Sequence, residues 1–263
     1  MPNNQRRVFI KNMALLSVAG SVFTSEKLIA AVDLPGQNQS EYKERDLIFL
    51  FQGDSITDGN RTRNDDLNNN TGHGYVFSIA SRVGADFPDR NLKFINRGNS
   101  GSDINGMSDR WQHDTLENKP DVLSIMIGIN DSNYYLHAKK ESNSVQAYEA
   151  TYRRILDQVK ASNPDITLVL CEPFTLPYTS VKEQQSPMQA DVMLRQDVVK
   201  KLAVEYNAVF VPFQDVFNKA LERAPEKYWI WDNVHPTVAG HELLAREWLK
   251  CVSKRIKFLK KEV

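Results

Sequence analysis

Leu47-Ile48-Phe49-Leu50-Phe51-Gln52-Gly53-Asp54-Ser55-Ile56-Thr57 is a continuously apolar run that stops abruptly in Gly-Asp-Ser. A strand buried on both faces reads this way, because a parallel sheet covered by helices leaves no polar alternation along its strands. The serine just past the run then delivers one hydroxyl to the edge of a sheet. Taken alone, such a serine is an ordinary turn former or helix cap. Its chemistry depends on what the rest of the chain brings to it.

Further short apolar runs at 92–96, 122–127, 166–171 and 209–211 predict four more strands. Helical periodicity lies between and after them. It covers 75–87 up to Pro88, a segment capped by Asp103 and carrying Ile104, Met107 and Trp111, and the series Tyr148, Tyr152, Ile155, Leu156 and Val159. Three more helices are expected at 188–206, 213–223 and 238–258. Strands alternating with amphipathic helices predict an α/β domain with a parallel sheet covered on both faces. Ligands of such sheets gather beyond the carboxyl ends of the strands. Three of those ends carry Gly53-Asp54-Ser55, Gly98 and Gly128-Ile129-Asn130. The polar stretch 60–74 and the proline-containing stretch 172–187 are the long loops, the kind that shape binding sites.

The 263 residues suit one sizeable domain, assigned to 46–263. With 33 basic and 33 acidic residues the net charge is zero, which argues against a nucleic-acid or membrane-surface binder. Residues 1–31 read as a cleavable export signal, with Arg6-Arg7 resembling a twin-arginine motif ahead of the apolar run that begins at Met13. Residues 32–45 read as a linker. The expected location is therefore periplasmic or extracellular, without stable membrane insertion after processing. Cys171 and Cys251 read as core residues; export permits a disulfide between them, but their spacing establishes none. Homo-oligomerisation stays open.

A serine hydroxyl is a poor nucleophile near neutral pH and needs a base within hydrogen-bond reach. Of the five histidines, His235 stands out in Trp231-Asp232-Asn233-Val234-His235-Pro236. Asp232, three residues earlier in a loop closed by proline, can hold one ring nitrogen while the other takes the Ser55 proton. Acyl transfer also needs donors aimed at a developing oxyanion. Ser55 offers its own N–H, Gly98 a backbone N–H able to approach closely, and Asn130 a side-chain amide. Asp54, Trp111, Trp231 and Tyr178 are the candidate substrate contacts, the aromatic residues as faces for sugar rings. Two near-motifs fall short. Gly98-Asn99-Ser100-Gly101-Ser102 lacks the last glycine of a nucleophile elbow, and His241-Glu242 lacks the second histidine of a zinc helix.

Gly53-Asp54-Ser55-Ile56-Thr57, Asn96-Arg97-Gly98-Asn99-Ser100-Gly101, Gly128-Ile129-Asn130-Asp131 and Asp232-Asn233-Val234-His235-Pro236 resemble, in order, the four blocks of the SGNH (GDSL-type) hydrolases. The resemblance implies a flavodoxin-like three-layer α/β/α sandwich with a five-stranded parallel sheet. It also implies a serine esterase with nucleophile Ser55, base His235 and acid Asp232, whose oxyanion donors are Ser55, Gly98 and Asn130. No metal or other cofactor is expected. Arg110-Trp111, 124–131 and 231–241 look like the acetylxylan and xylo-oligosaccharide acetylesterase branch, whereas 64–70 and Asn60-Arg61 depart from it. The function this implies is removal of O-acetyl groups from an oligosaccharide or polysaccharide. The rival readings are a lipase or lysophospholipase, which would need an apolar acyl groove, and a non-catalytic carbohydrate-binding protein.

Overall fold

The apolar run becomes β1 (Ile48–Gly53), an interior strand of a parallel sheet in the computed structural model, which describes residues 47–64, 69–176 and 186–262. The expected export signal, the linker and Tyr178 lie outside the described residues. The other strands are β2 (Lys93–Asn96), β3 (Val122–Met126), β4 (Thr167–Cys171) and β5 (Val209–Val211). Their order is β2-β1-β3-β4-β5, and every pairing is parallel. This is the flavodoxin-like order, with its switch point between β1 and β3. Register brings the active ends level: Gly53 pairs with Met126, and Phe51 with both Asn96 and Ser124.

The helices, in chain order, begin with α1 (Ser55–Asp58), α2 (Tyr75–Asp86), α3 (Ile104–Asp109), α4 (Ile129–Ala138) and α5 (Val145–Ser162). They continue with α6 (Pro187–Glu205), α7 (Phe213–Leu221), α8 (Glu226–Trp229) and α9 (Val238–Val252). Side chains alternate across β1, so Phe49 and Phe51 face one layer and Leu50 the other. The first layer packs Tyr75 and Ile79 of α2, Phe213 and Phe217 of α7 and Trp248 of α9. The second packs Ile104 and Met107 of α3, Tyr152 and Ile155 of α5 and Leu202 of α6. Two apolar cores thus sandwich one sheet.

Four features differ from the sequence expectation. Helices α1, α4 and α8 were not anticipated, and α9 stops at Val252 rather than near 258. After Val252 the chain turns, with Arg255 and Ile256 donating back to the Val252 carbonyl. That turn seats Leu259 in the core and Phe258 edge-on against Phe87, which a continued helix would carry away. Both cysteines are free and buried, and burial pushes the Cys171 thiol up to about 12. Among the described residues no helix is long and apolar enough to cross a membrane.

Candidate active site

Ser55 is the first residue of α1, directly beyond β1. The Asp54 side chain caps that helix by accepting from Ile56 N–H at 3.0 Å. A first helical position has no intrahelical acceptor for its amide, and the Ser55 N–H has no partner among the described residues. Ser55 Oγ lies 2.7 Å from His235 Nε2, and His235 Nδ1 lies 2.6 Å from Asp232 Oδ2. With Nδ1–H donating to the carboxylate, Nε2 carries the lone pair that accepts from the serine. Asp232 does a second job: its Oδ1 accepts from Val234 N–H at 3.2 Å and His235 N–H at 2.7 Å. Burial raises the Asp232 carboxyl, but the His235 amide and ring and the Val234 amide outweigh it and hold it below the usual carboxylate range.

The histidine loop is pinched at its base. Ile230 and Pro236 form an antiparallel bridge, Trp231 N–H donates to His235 O at 3.0 Å, and Thr237 N–H donates to Trp229 O at 2.8 Å. Thr237 then caps α9. The indole of Trp231 stacks on the His235 ring, with centroids 5.8 Å apart and planes 25° apart.

On the oxyanion side, the Asn130 amide donates to Ser102 O at 3.0 Å, leaving its second N–H uncommitted. Gly98 does not fit the donor role expected of it. Its N–H donates to Asn96 Oδ1 at 2.8 Å, and a Cβ there would lie 2.3 Å from Asp58 N, so this glycine exists for close packing against α1. The glycine of this block with an unpartnered N–H among the described residues is Gly101. Its φ of 79° needs glycine, and a Cβ would meet nothing nearer than Tyr134 Oη at 3.9 Å.

Of the expected substrate contacts, Trp231 is 65% exposed, whereas Trp111 is 2% exposed and packs in the second core. Asp54 is 1% exposed, and burial pushes its carboxyl up to about 6, so it caps α1 instead of meeting a ligand. The near-motif residues have structural jobs: Ser100 Oγ donates to Asp58 Oδ2 at 2.8 Å, and His241 Nδ1 accepts from Tyr75 N–H at 3.1 Å.

Sequence reasoning missed the residues that hold the block 96–104. Helix α4 clamps it three times: through Asn130, through Asp131, which accepts from Ile104 N–H at 3.0 Å, and through Tyr134, whose hydroxyl donates to Gly101 O at 2.9 Å. Arg110 ties the same block to β1, donating to Ser102 Oγ at 3.0 Å and Gly53 O at 3.2 Å. The sequence singled out Asn130 and Arg110 for other reasons, and it gave no sign that Asp131 or Tyr134 reaches this block.

Residues 51–243 match the GDSL-like lipase/acylhydrolase family. The chain is 36% identical over 207 residues to an acetylxylan esterase of Geobacillus stearothermophilus, covering 77% of this chain and 92% of that one. A solved structure of that acetylxylan esterase superposes with a TM-score of 0.70 at 34% identity, covering 78% of this chain and 94% of that one. Two other structures of it are catalytic mutants in which an aspartate or a serine is replaced by alanine. An α/β hydrolase enzyme from the metagenome of Lake Arreo, Spain, superposes with a TM-score of 0.70 at 29% identity, covering 81% of this chain and 97% of that one.

Proposed function

The chain belongs to the GDSL-like lipase/acylhydrolase family and is a carboxylic ester hydrolase, and from that premise we propose that it removes O-acetyl groups from carbohydrates through an acyl-enzyme. The observation that carries the reading is the unbroken hydrogen-bond chain Ser55 Oγ–His235–Asp232, in a protein similar to an acetylxylan esterase. In this mechanism Ser55 Oγ attacks the acetyl carbonyl carbon while its proton passes to His235 Nε2. Asp232 holds the ring and stabilises the imidazolium. The oxyanion of the tetrahedral intermediate takes hydrogen bonds from the Ser55 N–H, the free Asn130 amide N–H and the Gly101 N–H. His235 then protonates the departing sugar oxygen. Water enters, gives its proton to the same nitrogen, and the second collapse releases acetate and regenerates Ser55.

One feature favours a sugar as substrate. The exposed Trp231 face beside His235 supports stacking of a pyranose ring. In the same reading the protein acts outside the cytoplasm, on the strength of Arg6-Arg7 and the apolar run that follows. The test is acetate release from acetylated xylo-oligosaccharides, run beside p-nitrophenyl esters of increasing chain length. Acetate is the preferred acyl group, and Ser55→Ala abolishes release. A preference for chains beyond about four carbons would overturn the reading.

A further inference from the structure

A second feature lies on the β2 side of the same block. A cleft of about 330 Å³ separates Arg61, Thr62 and Arg63 from Lys93, Phe94 and Arg97. Four of these six residues are cationic, and its remaining described lining is amide or apolar rather than acidic. Among the described residues, the two carboxylates that act on Arg61 are already engaged. Asp58 takes the Arg63 guanidinium in a two-point contact at 3.0 and 2.6 Å, and Asp114 pairs with Arg110 at 3.0 Å. Arg61 spends its Nε on Gly98 O at 3.0 Å, a carbonyl that orients it without neutralising it. Burial and the facing charges of Arg63 and Arg97 lower Arg61 to about 10, against the pull of Asp58 and Asp114.

Lys93 and Arg97 have no ion-pair partner among the described residues, and Arg97 Nε is a buried donor without an acceptor. Cations left without a counter-charge on the wall of a cleft favour an anionic ligand there. A guanidinium fork matches a planar carboxylate in two parallel hydrogen bonds, which a hydroxyl cannot reproduce. The volume is that of a small-ligand site. The cleft also joins the catalytic block directly: Arg97 precedes Gly98, and Arg61 holds the Gly98 carbonyl.

We infer that this cleft is a subsite for a carboxylate-bearing sugar, a uronosyl unit, on the acetylated glycan. The assignment rests on the carbohydrate reading above and adds the charge of the substrate to it. It makes the enzyme selective for acidic glycans, with Lys93 and Arg97 as the residues that confer the selectivity.

The experiment uses Ser55→Ala protein and calorimetric titration at low salt, so that binding is read without turnover. The ligands are an unacetylated xylo-oligosaccharide with one uronosyl branch, the same neutral oligosaccharide, and a sulfate-ester counterpart. The uronosyl ligand binds about fivefold tighter than the neutral one, the scale of one ion pair at a solvated edge. Raising the salt erodes the difference. Lys93→Ala, at an exposed position, and Arg97→Ala, checked for folding by its melting curve, each remove most of it. Equal binding of the neutral and uronosyl ligands overturns the subsite, as does a preference that survives both substitutions. Equal binding of the sulfate ester overturns the carboxylate assignment. Acetate release from neutral glycans alongside any of these results leaves the esterase reading intact, and loss of acetate release with the uronosyl preference intact fails that reading alone.

Discussion

At the nucleophile turn, Asp54, Thr57 and Asp58 are almost wholly buried, and the turn is locked between β1, Asn96 and Gly98. At the histidine loop, Trp231 stands in solvent, Asn233 adopts a φ of 76°, and Asp232 holds the shape through three hydrogen bonds to its own loop. One half of the site is positioned by packing and the other by local polar contacts. The flanking carboxylates record the difference: burial drives Asp54 up, while donors hold Asp232 down. A carboxylate facing an imidazole must stay ionised to stabilise an imidazolium, and the loop's amides ensure that it does. Substitutions in the loop therefore damage chemistry more than stability, and substitutions around the turn do the reverse.

The largest test of that contrast is Asp232→Asn. An amide keeps an oxygen for the Val234 and His235 N–H groups but favours the wrong imidazole tautomer, so kcat falls about 10⁴-fold. The melting temperature moves by less than about 3 °C, because the Asp232 side chain belongs to neither core. A large loss of stability would break the comparison.

Gly98→Ala runs the other way. Its Cβ would lie 2.3 Å from Asp58 N and 2.7 Å from Thr57 C, backbone atoms that cannot swing aside. We expect a loss of at least about 3 kcal/mol in denaturant unfolding, of the order of overpacking in a core. Stability within about 1 kcal/mol of the parent would show that the turn can give, and would break the contrast between a packed turn and a loop held by polar contacts.

How far the sequence reached follows the same division. All five strands were legible because a buried parallel strand is an unbroken apolar run between turn residues. The pairing of Ser55 with His235 and Asp232 was legible because each motif lacked what another supplied. Helix α4 was not, because Asn130, Asp131, Ser132, Asn133 and His137 give it no clear apolar stripe; it is held by polar bonds from Asn130, Asp131 and Tyr134. Nor can residue type separate Trp111 from Trp231: one indole fills a core and the other faces solvent. Gly98 and Gly101 share a single block, and only the destination of each N–H tells them apart.

The smallest test separates the carboxylates by pH. Asp54 has a folded-state value of about 6 against 3.8 for an unperturbed carboxyl, with burial as the leading cause. Between these values the folded protein keeps a proton that the unfolded chain has released. The unfolded state then binds fewer protons, so this group's contribution to stability falls as pH rises through that window. The shift corresponds to roughly 2–3 kcal/mol between pH 4 and pH 7. Asp54→Asn retains an oxygen to accept the Ile56 N–H and carries no charge to bury. Its unfolding free energy should match the parent near pH 4 and exceed it by about 2 kcal/mol at pH 7, read from urea curves across the range. Parallel pH profiles for the two proteins would mean that Asp54 is solvated or paired in the fold, and that the turn is not held by dry packing after all.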